Sequence, residues 1–382
     1  MNTNSSCASV LAATMFAHAT PPSGTFRVYF GTQAEGDKRG IYMALLDTET
    51  GQLGEPIRVS DSVRPGFIAI HPDGQHLYAT DVSGSFSGGK GEFISAYRIE
   101  EPAGTLSDLN TQPSGGEGPC HLSIDPTGKW LLAANYRGGS CAVLPILPDG
   151  TLGESTTIRQ HKGSGPNTQR QNRAHTHSIN CDPAGRFALV ADLGMDQILI
   201  YWLDAATGTL TPNDPPLLRT EPGSGPRHLT FDPSGKFVYA CMELSNEVSV
   251  YEYNAEDGIL TEIQTLPTLP EEFDGDNLTS EVLTSRNGRF LYVGNRGHES
   301  IAVFAIDPNR GTLTPAGHEP TRGNHPRNFN IDPTGQFLIV ANAHTDNVVV
   351  FKVDQETGQL TFTGSEIEVP SATCVRFLAS PD

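Results

Sequence analysis

One phrase recurs along the chain and constrains its fold more than any other feature. A short apolar run leads into Asp-Pro-x-Gly or a close variant, then a second run ends near Ala-Asn, and a third, alternating run follows. It reads HPDGQHLYATD at 71–81, DPTGKWLLAAN at 125–135, DPAGRFALVAD at 182–192, DPSGKFVYACME at 232–243, SRNGRFLYVGN at 285–295 and DPTGQFLIVAN at 332–342. The turn glycines are Gly74, Gly128, Gly185, Gly235, Gly288 and Gly335, spaced by 54, 57, 50, 53 and 47 residues. Proline presets φ for a turn and glycine supplies the left-handed position. The flanking runs, such as FLYV and IAVFAI, are short, β-branched and aromatic, as strands are. A second turn, ETGQL (49–53), ATGTL (206–210), NRGTL (309–313) or ETGQL (356–360), completes a four-stranded antiparallel meander. Such units at this period are propeller blades.

Residues 1–25 read as a leader and residues 26–382 as a single domain. Dividing that domain by the mean period of about 52 gives seven blades from six visible turns. The seventh blade must therefore be composite. TCVRFLA (373–379) reads as its innermost strand, and FRVYFGT (26–32) with GIYMALLD (40–47) supplies the rest, which closes the ring and removes free sheet edges. The expectation is an all-β, seven-bladed β-propeller.

Charge and cysteine usage narrow the partners. The net charge is -19, which disfavours nucleic acid and anionic membranes. An anionic small molecule then needs a local cluster of cations. The six cysteines are scattered and form no C-x-x-C pair, so they read as free thiols, neither a disulfide framework nor a zinc site. No stretch is apolar enough to span a membrane. Residues 8–16 followed by Ala17-His18-Ala19 resemble an export signal without its basic start. Export is expected if residues 1–19 act as that signal, and a cytoplasmic location otherwise.

Within a meander, the start of the first strand and the end of the second lie at the same rim. Five and four positions before each turn stand Gly66-Phe67, Cys120-His121, His177-Ser178, Arg227-His228, Ser280-Glu281 and Arg327-Asn328. The second strands end at Asn135, Asp192, Glu243, Asn295-Arg296 and Asn342. Three His, three Arg and two Glu are thus expected at one mouth of the central channel. A constant framework with variable polar residues is how a site is grafted onto a fold. Asn135, Asn295 and Asn342 read as structural caps. The glycines at 163–165 and 223–225 are either loop or phosphate cradle. The basic stretch 160–173 is a source of positive potential. His175 and His177 alternate on one strand and are expected to face the channel together.

The strings GPCHLSIDPTGKWLLAANY, HTHSIN, ADLGMDQILIY, GSGPRHLTFDPSGKFVYA, NRGHESIAVFAID and HPRNFNIDPTGQFLIVAN resemble the seven-bladed lactonase family over about residues 26 to 380. That family includes bacterial propeller-type 6-phosphogluconolactonases and fungal carboxy-muconate lactonizing enzymes. The resemblance implies a catalytic set of His177, Arg227, Glu243 and Arg296. The rim positions and strand alternation add His121, His175, His228, Glu281 and Arg327 as the residues expected to bind substrate. The resemblance also implies metal-independent opening of 6-phosphoglucono-1,5-lactone to 6-phosphogluconate, a pentose phosphate step, with no cofactor. His177 would be the base, the arginines would hold phosphate or oxyanion, and Glu243 would orient them or protonate the leaving oxygen. The chain departs from the family at Asp81, at Ala174 before His175, and in RPGF at 64–67. These departures bear on substrate identity. A lactonase or cycloisomerase for a non-phosphorylated or muconate-type lactone is one alternative, and a non-catalytic protein-binding propeller is another.

Overall fold

A computed structural model describes residues 24–82 and 92–379. The leader expected at 1–25, with its signal-like segment and Cys7, lies outside the described residues except for Gly24 and Thr25. The described chain forms seven four-stranded antiparallel sheets. Blades I to VI have inner strands Ile68–Ile70, Pro119–Ile124, Thr176–Cys181, Pro226–Phe231, Leu278–Thr284 and Pro326–Ile331. Blade VII takes its inner strand, Ala372–Ala379, from the C-terminal end and its other three from residues 25–60. Thr25–Thr32 pairs with it antiparallel from Phe26 opposite Ala379 to Thr32 opposite Ala372. The seam is therefore the composite blade that the repeat arithmetic requires. The one helix among the described residues is a 3-10 turn at Gly36–Lys38, and none is long and apolar enough to cross a membrane.

The core lies between blades. Trp130, Leu132 and Val143 of blade II pack on Ile179, Val190 and Tyr201 of blade III, and the other interfaces repeat this arrangement. A latch recurs at the outer side. Tyr29, Tyr78, Tyr239 and Tyr292 each donate their hydroxyl to the carbonyl of Gly104, Gly150, Gly311 and Gly358 in the next blade, at 2.8 to 3.0 Å. Each of these carbonyls belongs to a turn glycine with φ near +70° or slightly above. A Cβ at Gly311 would lie 2.3 Å from the Phe237 ring, which fixes glycine there on two grounds.

The second-strand asparagines do what their position suggests. Asn135, Asn295 and Asn342 donate Nδ2 to the carbonyls of Ser114, Thr268 and Thr321, which lie on the connections from the preceding blades. Buried carbonyls of an irregular connection need such donors.

Replacing Gly311 with Ala is expected to destabilise the fold by about 1–3 kcal/mol, through the ring clash and the left-handed backbone. Tyr239→Phe is expected to cost about 1 kcal/mol through one lost buried hydrogen bond. Equilibrium denaturation measures both, and unchanged midpoints would reject the latch as a stabilising element.

Candidate active site

The inner strands are irregular in a repeated way. In blades II, III, IV and VI the pairing to the second strand steps from Pro119 to His121, Thr176 to Ser178, Pro226 to His228 and Pro326 to Asn328. Cys120, His177, Arg227 and Arg327 are the residues skipped. Blade V skips Ser280 and Glu281, and blade VII skips Thr373. A bulge re-aims a side chain that strict alternation would send elsewhere. In blades II, IV and VI it lets two consecutive residues line the channel: Cys120 with His121, Arg227 with His228 and Arg327 with Asn328.

The result is two stacked rings. Cys120, His177 and Arg327 line a cavity of about 330 Å³ together with Glu243 and Arg296. A narrow pocket of about 50 Å³ continues inward to Phe67, Arg227 and His228. His121, His228 and Glu281 form the deeper ring. The Phe67 and His121 rings lie 4.4 Å apart, His121 and His228 5.2 Å, and His177 and His228 5.1 Å. His228 Nδ1 donates to Glu281 Oε1 at 2.9 Å, and Asn328 Nδ2 donates to Oε2. This layer separates the cavity from a second one, of about 400 Å³, on the other side. The expected single mouth is thus corrected: His121 and Glu281 line the opposite cavity and not the one holding His177, while His228 reaches both sides.

His175 is a second correction. Alternation predicts that it faces the channel beside His177, but the bulge breaks that alternation. Its ring stacks on Tyr136 at 4.5 Å, and its Nδ1 donates to the Tyr136 carbonyl at 3.0 Å. It is absent from the cavity wall. The backbone holding His177 is fixed from behind. Asp192, fully buried, accepts the His175 N–H at 2.8 Å and contacts His161 Nδ1 at 2.8 Å, and the Tyr201 hydroxyl lies 3.0 Å from His161 Nε2.

Electrostatically the site centres on Glu243, a residue 2% exposed. Its Oε2 lies 2.8 Å from Arg227 Nε and 3.0 Å from Arg296 Nη2, and Oε1 accepts from Arg170. The Arg227 Nε contact is an ion pair too bent to count as a hydrogen bond. Arg227 also donates to the Ser280 carbonyl and Arg296 to that of Thr279, which locks both forks. Burial alone would raise the Glu243 pKa, but the charges of Arg296, Arg227 and Arg170 outweigh it and hold it down to about 2. Glu243 is therefore a carboxylate at neutral pH, and the expected alternative of proton donation from it is opposed. His177 Nε2 lies 3.9 Å from Glu243 Oε2. Burial, then the charge of Arg227, pushes the His177 pKa well below the ordinary histidine value, so the imidazole is neutral.

Arg327 differs from its neighbours. Among the described residues it makes no hydrogen bond or ion pair, and burial together with Arg227 and Arg296 disfavours its charge. A guanidinium stays protonated under such pressure. The cavity thus holds a cation whose only nearby carboxylate, Glu243, is already paired with three other arginines. Arg170 and Tyr136 also line it and were not singled out from the sequence, although Arg170 belongs to the basic stretch at 160–173. Cys120 reaches the cavity as well, but burial pushes its thiol up to about 12, so it is no nucleophile at neutral pH. The glycine loops offer no phosphate cradle in the cavity. Gly223 and Gly225 donate to Asp196 at 2.7 and 2.8 Å, and Gly165 donates to the Gln171 carbonyl. A larger cleft of about 620 Å³ lies at the outer rim. Its Arg27 is bound by both carboxylate oxygens of Glu101, so its charge is already matched.

Comparison with known proteins gives consistent findings. The family model described as lactonase, 7-bladed beta-propeller, matches residues 27–377. The 6-phosphogluconolactonase of Bacillus subtilis is 38% identical over 350 residues, covering 92% of this chain and 97% of its own. That of Serratia proteamaculans is 34% identical over 288 residues, 75% of this chain and 80% of its own. The solved structure of a periplasmic gluconolactonase from Pseudomonas aeruginosa superposes with a TM-score of 0.87 at 32% identity, covering 94% of this chain and all of that one.

Two predictions follow from these charges. Glu243→Gln leaves two buried guanidiniums, Arg227 and Arg296, and the part-exposed Arg170 facing no carboxylate, and is expected to cost about 3–5 kcal/mol in denaturation. A loss under 1 kcal/mol would mean that solvent already screens the cluster. His121, His177 and His228 all have folded pKa values below the unfolded one, chiefly by burial. Between the two values the unfolded chain binds more protons, so stability falls as pH drops below about 6.5. Tm measured from pH 8 to 5 should be flat and then decline, and His121→Asn should shallow the decline.

Proposed function

We propose that this chain, which belongs to the seven-bladed β-propeller lactonase family, opens 6-phosphoglucono-1,5-lactone to 6-phosphogluconate without a metal ion. The observation that carries the reading is the excess of guanidinium over carboxylate around one cavity, with Arg327 making no hydrogen bond or ion pair among the described residues. In a protein of net charge -19, that concentration of cations suits a dianionic group. Arginine forks bind phosphate through charge-assisted pairs of hydrogen bonds. The relatives named 6-phosphogluconolactonase support the same substrate.

Water is the nucleophile in this scheme. The neutral imidazole of His177 takes a proton from water as the oxygen attacks the lactone carbonyl. Glu243, 3.9 Å away, stabilises the imidazolium that forms. A guanidinium of the Glu243-anchored pair stabilises the oxyanion, already oriented before the reaction begins. The carbonyl re-forms as the ring C–O bond breaks, and the imidazolium returns its proton to the departing ring oxygen. The sum is lactone plus water giving hydroxy acid. The phosphate also offsets the positive charge that depresses the His177 pKa, so bound substrate makes its own base stronger.

A second reading has one specific support: the Pseudomonas aeruginosa relative is named a periplasmic gluconolactonase. On that reading this chain takes an unphosphorylated lactone, and the segment at 1–19 exports it. The same site chemistry serves both substrates.

Initial rates on freshly prepared phosphorylated and unphosphorylated gluconolactone, in chelator, separate these readings. Wild type should turn over the phosphorylated lactone above the spontaneous rate. His177→Ala should lower kcat by about 10²–10⁴-fold. Arg327→Met should raise KM by about 10- to 100-fold for the phosphorylated lactone and far less for the other. Equal losses on both lactones would place Arg327 on a group they share. The acid limb of kcat/KM for the free enzyme should lie below pH about 6.5, because the His177 pKa is lowered.

A further inference from the structure

The turn between the first and second strands has the same plan in six blades, and one of them breaks it. In blade II, Asp125 accepts the N–H groups of Thr127, Lys129 and Trp130, and the Trp130 ring packs under Gly208 of the next blade. Blades III, IV and VI repeat this with Asp182 and Phe187, Asp232 and Phe237, and Asp332 and Phe337. Blade V uses Ser285 and Phe290. Blade I keeps the proline and glycine but carries His71, Asp73 and His76, so two of the three stand where other blades place the acid and the aromatic ring.

These three side chains converge. Asp73 Oδ1 lies 3.0 Å from His71 Nδ1, and Oδ2 lies 2.8 Å from His76 Nδ1. One potential ligand atom from each falls within 4.8 Å of the others, the only such group among the described residues. The protonation pattern adds a physical reason. His71 Nε2 lies 2.8 Å from the Gly128 carbonyl, which can only accept, so that nitrogen carries the hydrogen. Nδ1 accepts the Asp73 N–H at 3.1 Å and is therefore a lone-pair nitrogen. A lone-pair nitrogen 3.0 Å from a carboxylate oxygen is repulsive unless a cation lies between them. An imidazole whose far N–H is tied to a backbone carbonyl is also how metal-ligating histidines are oriented.

We propose that His71, Asp73 and His76 form a binding site for a borderline divalent cation of the Zn²⁺ type, with water completing the shell. Two imidazoles and one carboxylate suit Zn²⁺ and neighbouring transition ions far better than Mg²⁺ or Ca²⁺, which favour oxygen donors. Tetrahedral Zn²⁺ with bonds of about 2.0–2.1 Å sets its donors about 3.3 Å apart. The Asp73 oxygens already lie 2.8 and 3.0 Å from the two imidazole nitrogens, and the ligand atoms, within 4.8 Å of one another, must close by up to about 1.5 Å. Binding exchanges the long Asp73 N–H contact for a metal bond. The side chain of Asp73 is 31% exposed, which leaves an entry path, whereas His76 is 9% exposed beneath Gly150. The turn follows the inner strand, at the end away from Phe67 and the catalytic cavity, so the ion is a staple for blade I. This inference does not rest on the proposed lactone chemistry.

The test uses the full-length protein stripped with chelator and titrated with ZnCl₂ by calorimetry or equilibrium dialysis. His71→Asp/His76→Phe restores the acid and aromatic pattern of the other blades and so should fold. Wild type should bind one more equivalent of Zn²⁺ than this variant, and MgCl₂ should not compete. Asp73→Asn should weaken that equivalent at least about tenfold. Zn²⁺ should raise the Tm of wild type but not of the double variant. Equal stoichiometry and affinity in all three proteins would overturn the site and leave the three side chains as a turn-stabilising contact only. Lactone turnover should be the same in stripped and loaded protein. Turnover lost on stripping and regained by the double variant with Zn²⁺ would count against the metal-free reaction and leave the staple unaffected.

Discussion

The inner strand of most blades carries at least one residue more than the strand it pairs with, and the channel depends on that surplus. Without the bulge, a regular strand would send alternate residues into the interfaces between blades, and only one of each adjacent pair could face the axis. With it, Arg227 and His228 both reach the axis, as do Cys120 with His121 and Arg327 with Asn328. Two rings of side chains then fill a passage that seven sheets would otherwise leave open. The deeper ring of Phe67, His121, His228 and Glu281 plugs it, and the upper ring becomes the floor of a cavity.

Charge organises that cavity around a single carboxylate. Removing Glu243 and the guanidiniums of Arg227 and Arg296 from water is costly, and the arrangement stands because each of these groups has more than one partner. Arg227 and Arg296 bind backbone carbonyls as well as Glu243, so their forks are rigid before any ligand arrives. The same field keeps His177 neutral and Glu243 ionised, which divides their work: one can take a proton, and the other can only steady what takes it. Arg327 adds a further guanidinium to the cavity wall, with no hydrogen bond or ion pair of its own among the described residues.

The propeller frame tolerates such specialisation because its stability is spread over repeated devices. Turn glycines over aromatic rings, tyrosine latches and asparagine caps recur from blade to blade. Individual blades can then depart from the plan. Blade I does so at His71, Asp73 and His76, and blades III to VI do so at the cavity. His71 was hidden in the sequence because it stands in a turn whose Pro and Gly look ordinary. Its distinctiveness appears only beside the five other turns and the Gly128 carbonyl that it bonds.

The blade number, the order of strands and the composite seam were legible in the sequence. Each is encoded locally, in turn residues and strand periodicity at a fixed interval. His177 and Arg227 were placed at the rim by counting back from the turns, and Glu243 and Arg296 by the ends of the second strands, since equivalent positions in a ring must meet; the resemblance singled out these four. The tertiary structure alone decided which ring each residue joins. A bulge shifts His121 and Glu281 deeper and turns His175 onto Tyr136, and no residue type signals that shift. It also decided that Arg170 arrives from a loop and that Glu243 is ionised. A loop path and a pKa depend on distances between blades far apart in the chain, which the closed ring fixes and the local sequence does not.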